Sequence, residues 1–153
     1  MQINENNSDV KLCNVSSFRV GIVAARFNRE ITDALLVSAE EELQANGVQK
    51  SNIKVVSVPG SVEIPSALQM LAERKDYDCL IALGAVIKGE TPHFDYVCKI
   101  ASEGVLRVML DYKIPVGFGV ITTLNVQQAK ERIGSGKSAV RAALELACMK
   151  KRS

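Results

Sequence analysis

Residues 78–87, DCLIALGAVI, form a nearly unbroken apolar run that stops at Lys88 and Gly89. A half-exposed strand alternates apolar and polar side chains, so this run predicts a strand covered on both faces, as in a parallel sheet. The neighbouring segments fit that reading. Upstream, Phe18–Ala25 (FRVGIVAA) and Ile53–Val58 (IKVVSV) are short β-branched runs, and Pro115–Ile121 is a fourth strand downstream. Between them lie helical patterns. Glu30–Ala45 has Ile31, Ala34, Leu35, Ala39 and Leu43 at helical spacing and is ended by Asn46 and Gly47. Val62–Arg74 is a second helix, with Ser61 as its N-cap.

The third helix has the clearest start, Thr91 as N-cap and Pro92 at the first helical position. Its apolar stripe runs through Phe94, Val97, Cys98, Ala101, Val105, Val108 and Met109. Val126–Ile133 is a short helix, and Val140, Ala143, Leu144, Ala147 and Cys148 mark a last one. Strands alternating with helices over short connections imply right-handed βαβ units. The expected fold is therefore a three-layer α/β/α sandwich around a four-stranded parallel sheet, flavodoxin-like in class.

The 153 residues fit one domain, residues 17–153, preceded by a polar head, residues 1–16, expected to be a mobile arm. Hydrophobic residues at 47% and charged ones at 24% exclude a disordered or fibrous chain. A formal charge of +2 is too small to announce a nucleic-acid or membrane partner. Cys13, Cys79, Cys98 and Cys148 contain no CxxC pair and have one histidine to join them, which supports neither a zinc cluster nor a disulfide framework. The head lacks the apolar core of a signal peptide, and no apolar run reaches the ~20 residues of a membrane helix. Cytoplasmic location with reduced thiols is the expectation.

In such sheets ligands sit beyond the carboxyl ends of the strands, here near Arg26, Pro59, Lys88 and Thr122. Phe27, at the first end, offers a ring for stacking, although a ring covering the sheet edge would read the same. At the second end, Glu63 lies in a first helical turn, where a carboxylate suits the helix dipole and can also accept hydrogen bonds from hydroxyls. The third end, residues 84–97 (GAVIKGETPHFDYV), is the richest. Gly89 permits close backbone approach, and the N–H groups near Glu90 and Thr91 open a helix, a natural place for phosphate. The charge of Glu90 opposes that use unless its side chain points away. His93, the only histidine, lies in the first turn of this helix and suits proton transfer, though a lone histidine is more often structural. At the fourth end, Phe118 stands between two glycines, and Arg132 follows on the short helix as a phosphate clamp or a solvated cation. Residues 134–138, GSGKS, mimic the end of a P-loop, but the required earlier glycine is Glu131 and no strand precedes them.

Together, residues 26–28, Val58–Pro65 (VPGSVEIP), Gly84–Cys98 (GAVIKGETPHFDYVC), Gly117–Thr122 and Asn125–Arg132 resemble the 6,7-dimethyl-8-ribityllumazine synthases, over about residues 18–133. The resemblance implies condensation of 5-amino-6-(D-ribitylamino)uracil with 3,4-dihydroxy-2-butanone 4-phosphate, releasing phosphate and water, with no metal or organic cofactor. It implies homo-oligomers, pentamers or pentamer-based assemblies, with sites at subunit interfaces and riboflavin synthase as a candidate partner. By resemblance, Phe27 stacks on the pyrimidine, with Ser61, Val62 and Glu63 around the ring substituents and ribityl chain. Ala85, Val86 and Ile87 supply backbone contacts to the pyrimidine. Glu90 and Thr91 hold the phosphate through backbone N–H groups, Arg132 adds positive charge, and His93 moves protons. Phe118 matches a position that reaches a neighbouring subunit's ligand.

The chain departs from the family at residues 133–139, IGSGKSA, a shortened connection in which the counterpart of a phosphate-assisting lysine is not assignable to Lys137. Two other readings compete with the enzyme. One is an assembly that keeps the aromatic pocket without useful turnover, opposed by the presence of Phe27, Glu63, His93 and Arg132. The other is a nucleotide-binding P-loop protein, opposed by Glu131.

Overall fold

The computed structural model describes residues 10–153. Four strands, β1 (Val20–Ala25), β2 (Ile53–Val58), β3 (Cys79–Ile87) and β4 (Val116–Thr123), form one all-parallel sheet in the order β2-β1-β3-β4. Helices α1 (Arg29–Ala45) and α5 (Ser135–Arg152) cover one face; α2 (Ile64–Glu73) and α3 (His93–Asp111) cover the other. A short α4 (Val126–Lys130) follows β4. This is a flavodoxin-like α/β sandwich.

Strand β3 is apolar throughout because it is central. Ile81, Leu83 and Ala85 pack toward α1 and α5, while Leu80, Ala82 and Val86 pack toward α2 and α3. Edge strand β2 instead leaves Lys54, Val55 and Ser57 exposed. The chain runs from β1 outward to β2, then crosses to β3 on the other side of β1. The direction of winding thus reverses between β1 and β3, and their carboxyl ends flank the crevice where such sheets place ligands.

Several expected boundaries shift. Strand β1 starts at Val20 because the Phe18 N–H closes a turn onto the Val15 carbonyl (3.0 Å) and the Phe18 ring is buried. The second helix divides: a 3-10 turn at Ser61–Glu63 leads into α2, and Ser61 makes no side-chain cap. In its place the Gly60 N–H donates to Glu63 Oε2 and the Glu63 N–H donates to the Gly60 carbonyl, both at 3.1 Å. Helix α3 starts one residue late, with Pro92 at the N-cap; Thr91 Oγ1 sits outside it and accepts the His93 N–H at 3.4 Å. The last expected turn of α4 is lost, and its start is fixed by Asn125 Oδ1 accepting from Gln128 N (2.9 Å) while Gln128 Oε1 accepts from Leu124 N (2.8 Å).

The polar head is not a free arm over its described part. Val15 is buried, and Leu12 and Cys13 pack against the α1–α5 core; residues 1–9 lie outside the described residues. Cys13 is disulfide-bonded to Cys148 on α5, which corrects the expectation of four reduced thiols. Two cysteines 135 positions apart carry no pairing signal along the chain, and only the fold brings the head onto the last helix. Cys79 and Cys98 remain free. Burial, with the neighbouring charge of Asp78, pushes the Cys79 thiol up to about 12, so it is an unreactive core residue.

Closing a loop this long constrains the unfolded chain, a stabilisation typically of about 2–4 kcal/mol. Reduction is therefore expected to lower Tm by roughly 5–15 °C. Alkylating the denatured, unreduced protein should add two labels, at Cys79 and Cys98; four labels would show that the bond had not formed.

Candidate active site

A cavity of about 590 Å³ opens at the carboxyl ends of β1, β2 and β3, beside the β1–β3 crevice. Each wall follows from a strand end. Phe27, just after β1, is held by its backbone, its N–H donating to the Pro59 carbonyl (3.0 Å) while the Arg26 N–H donates to the Val58 carbonyl (2.8 Å). Phe27 is 71% exposed, with its ring among the cavity-lining groups. Pro59, Gly60, Ser61, Val62 and Glu63 form the second wall. Glu63 Oε2 is occupied by Gly60, which orients the carboxylate and leaves Oε1 able to accept from a ligand.

The third wall is the end of β3, Ala85, Val86 and Ile87, followed by Gly89 and then Thr91 and His93 at the start of α3. Ala85, Val86 and Ile87 lie beyond the last rung of β1–β3 pairing and remain paired with β4 on their other side. His93 is the first residue of α3, exposed, and makes no ring hydrogen bond among the described residues. Phe94 and Val97 complete the lining while packing on the α2–α3 core.

The structure thus brings together Phe27, Ser61, Val62, Glu63, Ala85, Val86, Ile87, Thr91 and His93. It leaves three expected residues outside this cavity. Glu90 is exposed next to the lining residues Gly89 and Thr91. Phe118, on edge strand β4, shares a face by alternation with Val116 and Val120 and is 44% exposed. Arg132 donates from Nη1 to the Gln128 carbonyl (2.9 Å) and lies 4.0 Å from Glu131. Phe94 and Val97 belong to the apolar stripe of α3, and a pocket wall and a core stripe have the same helical spacing, so the sequence carries no separate signal for their place in the lining.

Residues 134–138 do not form a P-loop: Gly134 caps α5 after a helix and turn, and no strand feeds it. Lys137 lies 3.6 Å from Glu42 of α1, which also accepts from Arg141 Nε at 2.8 Å. Burial pushes the Glu42 carboxyl up, but the hydrogen bonds from Arg141 and Asn46 and the two nearby cations outweigh it and hold it below the usual range. Lys137 thus belongs to the α1–α5 contact. No helix among the described residues is long and apolar enough to cross a membrane.

Residues 17–151 match the family model for 6,7-dimethyl-8-ribityllumazine synthase. The chain is 48% identical over 131 residues to a 6,7-dimethyl-8-ribityllumazine synthase of Polaromonas sp. (strain JS666 / ATCC BAA-500), covering 85% of each chain. It is 50% identical to that of Paracidovorax citrulli (strain AAC00-1), covering 84% of each. With that of Salinibacter ruber (strain DSM 13855 / M31) the identity is 46%, covering 88% of this chain and 90% of the relative. A cavity at the switch point and identity close to half over nearly the whole domain lead to one conclusion: the chain belongs to the 6,7-dimethyl-8-ribityllumazine synthase family, transferases that make the lumazine of riboflavin biosynthesis.

Proposed function

We propose that this chain condenses 5-amino-6-(D-ribitylamino)uracil with 3,4-dihydroxy-2-butanone 4-phosphate to give 6,7-dimethyl-8-ribityllumazine, phosphate and water. The observation that carries the reading is one cavity lined by an exposed ring (Phe27), an oriented carboxylate (Glu63), a helix start (Thr91) and the only histidine. Phe27 stacks on the pyrimidine, the backbone of Ala85, Val86 and Ile87 pairs with its edge, and Ser61, Val62 and Glu63 surround the ring substituents and ribityl hydroxyls. The phosphate is bound by backbone N–H groups at Glu90 and Thr91, in the turn that leads into the N-terminus of α3. Arg132 supplies a countercharge.

The 5-amino nitrogen attacks the ketone carbonyl, and loss of water gives an imine. Loss of the proton from the hydroxyl-bearing carbon then expels phosphate by elimination, the resulting enol tautomerises to a ketone, and the ribitylamino nitrogen attacks that carbonyl to close the ring with loss of a second water. Each step moves a proton, which His93 relays. Holding both reactants in one cavity supplies much of the acceleration, up to about 7–11 kcal/mol in favourable cases.

Phe118 and Arg132 lie outside the chain's own cavity, and we assign them to the site of a neighbouring copy in a pentamer or pentamer-based assembly. Exposed Tyr96, Ile100, Leu106, Leu110 and Leu124 support such burial between copies. We further propose cytoplasmic location and riboflavin synthase as a partner.

Mixing the two substrates with purified protein and following lumazine absorbance and fluorescence against a blank tests the reading. Product should form far faster than in the blank, and activity should disappear when mild denaturant or dilution dissociates the assembly without unfolding it. Product no faster than the blank, from folded oligomer, would sink the reaction; full activity in separated monomers would sink the shared site.

A further inference from the structure

We propose that Asn28 is a positioning residue that fixes the spacing between the Phe27 ring and the β3 backbone, and so sets affinity for the planar substrate. The proposal rests on the function proposed above. Asn28 sits at the N-cap of α1 with φ 60 and ψ 51, a left-handed conformation in a non-glycine residue. Asparagine tolerates this region better than most residues. Yet its side chain does not cap α1. Nδ2 donates instead to the carbonyl oxygen of Ala85, at 2.8 Å.

That bond lies at a telling place. Pairing of β1 with β3 ends at Ala24 with Leu83. The Ala85 carbonyl is two residues further, where β1 offers no strand N–H. The Asn28 amide takes the place of the missing rung and spans the crevice at which the winding of the sheet reverses. On the other side, Phe27 is tied to Pro59 beyond β2. The loop bearing the stacking ring is therefore fastened to both neighbouring walls, while Phe27, exposed as a residue, has little packing to hold it. Asn28 does not line the cavity. It acts through Phe27 and through Ala85, whose strand end supplies the facing edge.

Two substitutions separate the amide from the backbone conformation. Asn28→Gly keeps the left-handed turn and removes the donor; Asn28→Asp keeps size and turn tolerance and faces one carbonyl with a carboxylate. The expected result is a KM for the ribitylaminouracil raised about tenfold in Asn28→Gly and more in Asn28→Asp, since small misplacements of a binding wall are costly. KM for the butanone phosphate should stay within about twofold and Tm within a few degrees. An unchanged pyrimidine KM in Asn28→Gly overturns the proposal, as does an equal rise in both KM values with a large fall in Tm, the pattern of a merely structural residue. If the wild-type protein shows no turnover, the function reading fails separately, and riboflavin titrated as the planar probe decides Asn28: equal Kd in wild type and Asn28→Gly overturns it, about tenfold weaker binding supports it.

Discussion

A Gly117→Ala chain is expected to lose about 3 kcal/mol or more of stability and to melt roughly 6–12 °C lower, or to fail to accumulate folded. Gly117 lies on β4, on the face turned toward α5. A Cβ there would stand 2.1 Å from the carbonyl oxygen of Ala139 and 2.7 Å from its carbon. The obstacle is backbone, which cannot turn aside as a side chain can. Nor can α5 retreat without cost, because Ala139, Val140, Ala143 and Leu144 are all buried against the sheet and α1. At Gly136 a Cβ would meet the Leu35 carbonyl oxygen at 2.5 Å, so the same helix is in close contact with α1 as well. Gly134→Ala is the control: nothing lies within 4 Å, its backbone is already right-handed helical, and removing glycine there should be neutral or raise stability by up to about 1 kcal/mol. Equal Tm for the two variants, measured by thermal denaturation, would show that α5 can slide on β4.

Residue 117 also marks what the sequence could and could not reveal. Glycines on either side of Phe118 were visible, but their close contact with α5 was not, because helix-to-sheet distance is a tertiary quantity. The nearly unbroken apolar run at 78–87 corresponds to the central strand β3, Cys79–Ile87, since a strand covered on both faces must be apolar on both. Phe27, Glu63 and His93 could be placed near strand ends because parallel topology fixes where those ends go. The Thr91 and Pro92 signals place the start of α3 one residue early, since a proline suits the N-cap as well as the first helical position. The Cys13–Cys148 pair and the Asn28 amide on Ala85 were not legible. Each joins residues whose meeting depends on strand order or on the docking of the last helix, and neither leaves a periodic trace.

For His93→Ala the expected result is a kcat lower by on the order of 10²-fold, little change in either KM, and a Tm within about 2 °C of the parent. The small stability change follows from its surroundings: the side chain is exposed, makes no ring hydrogen bond among the described residues, and leaves no buried partner behind. The rate change follows from its place. His93 lines the cavity beside Thr91, where the proposed phosphate leaves, and faces the pocket that Phe27 and Glu63 share. General acid–base catalysis contributes roughly 10²–10⁴ in rate, and the lower end applies because the variant retains both proposed substrate subsites and the advantage of proximity. Imidazole added to the buffer should restore part of the lost rate, a response that a purely structural histidine would not give. A folded, oligomeric His93→Ala protein with no turnover at all would mean that proton transfer dominates the acceleration and that juxtaposition contributes little; one with full turnover would move the proton relay to another group in the cavity, Glu63 first, since its Oε1 remains able to accept.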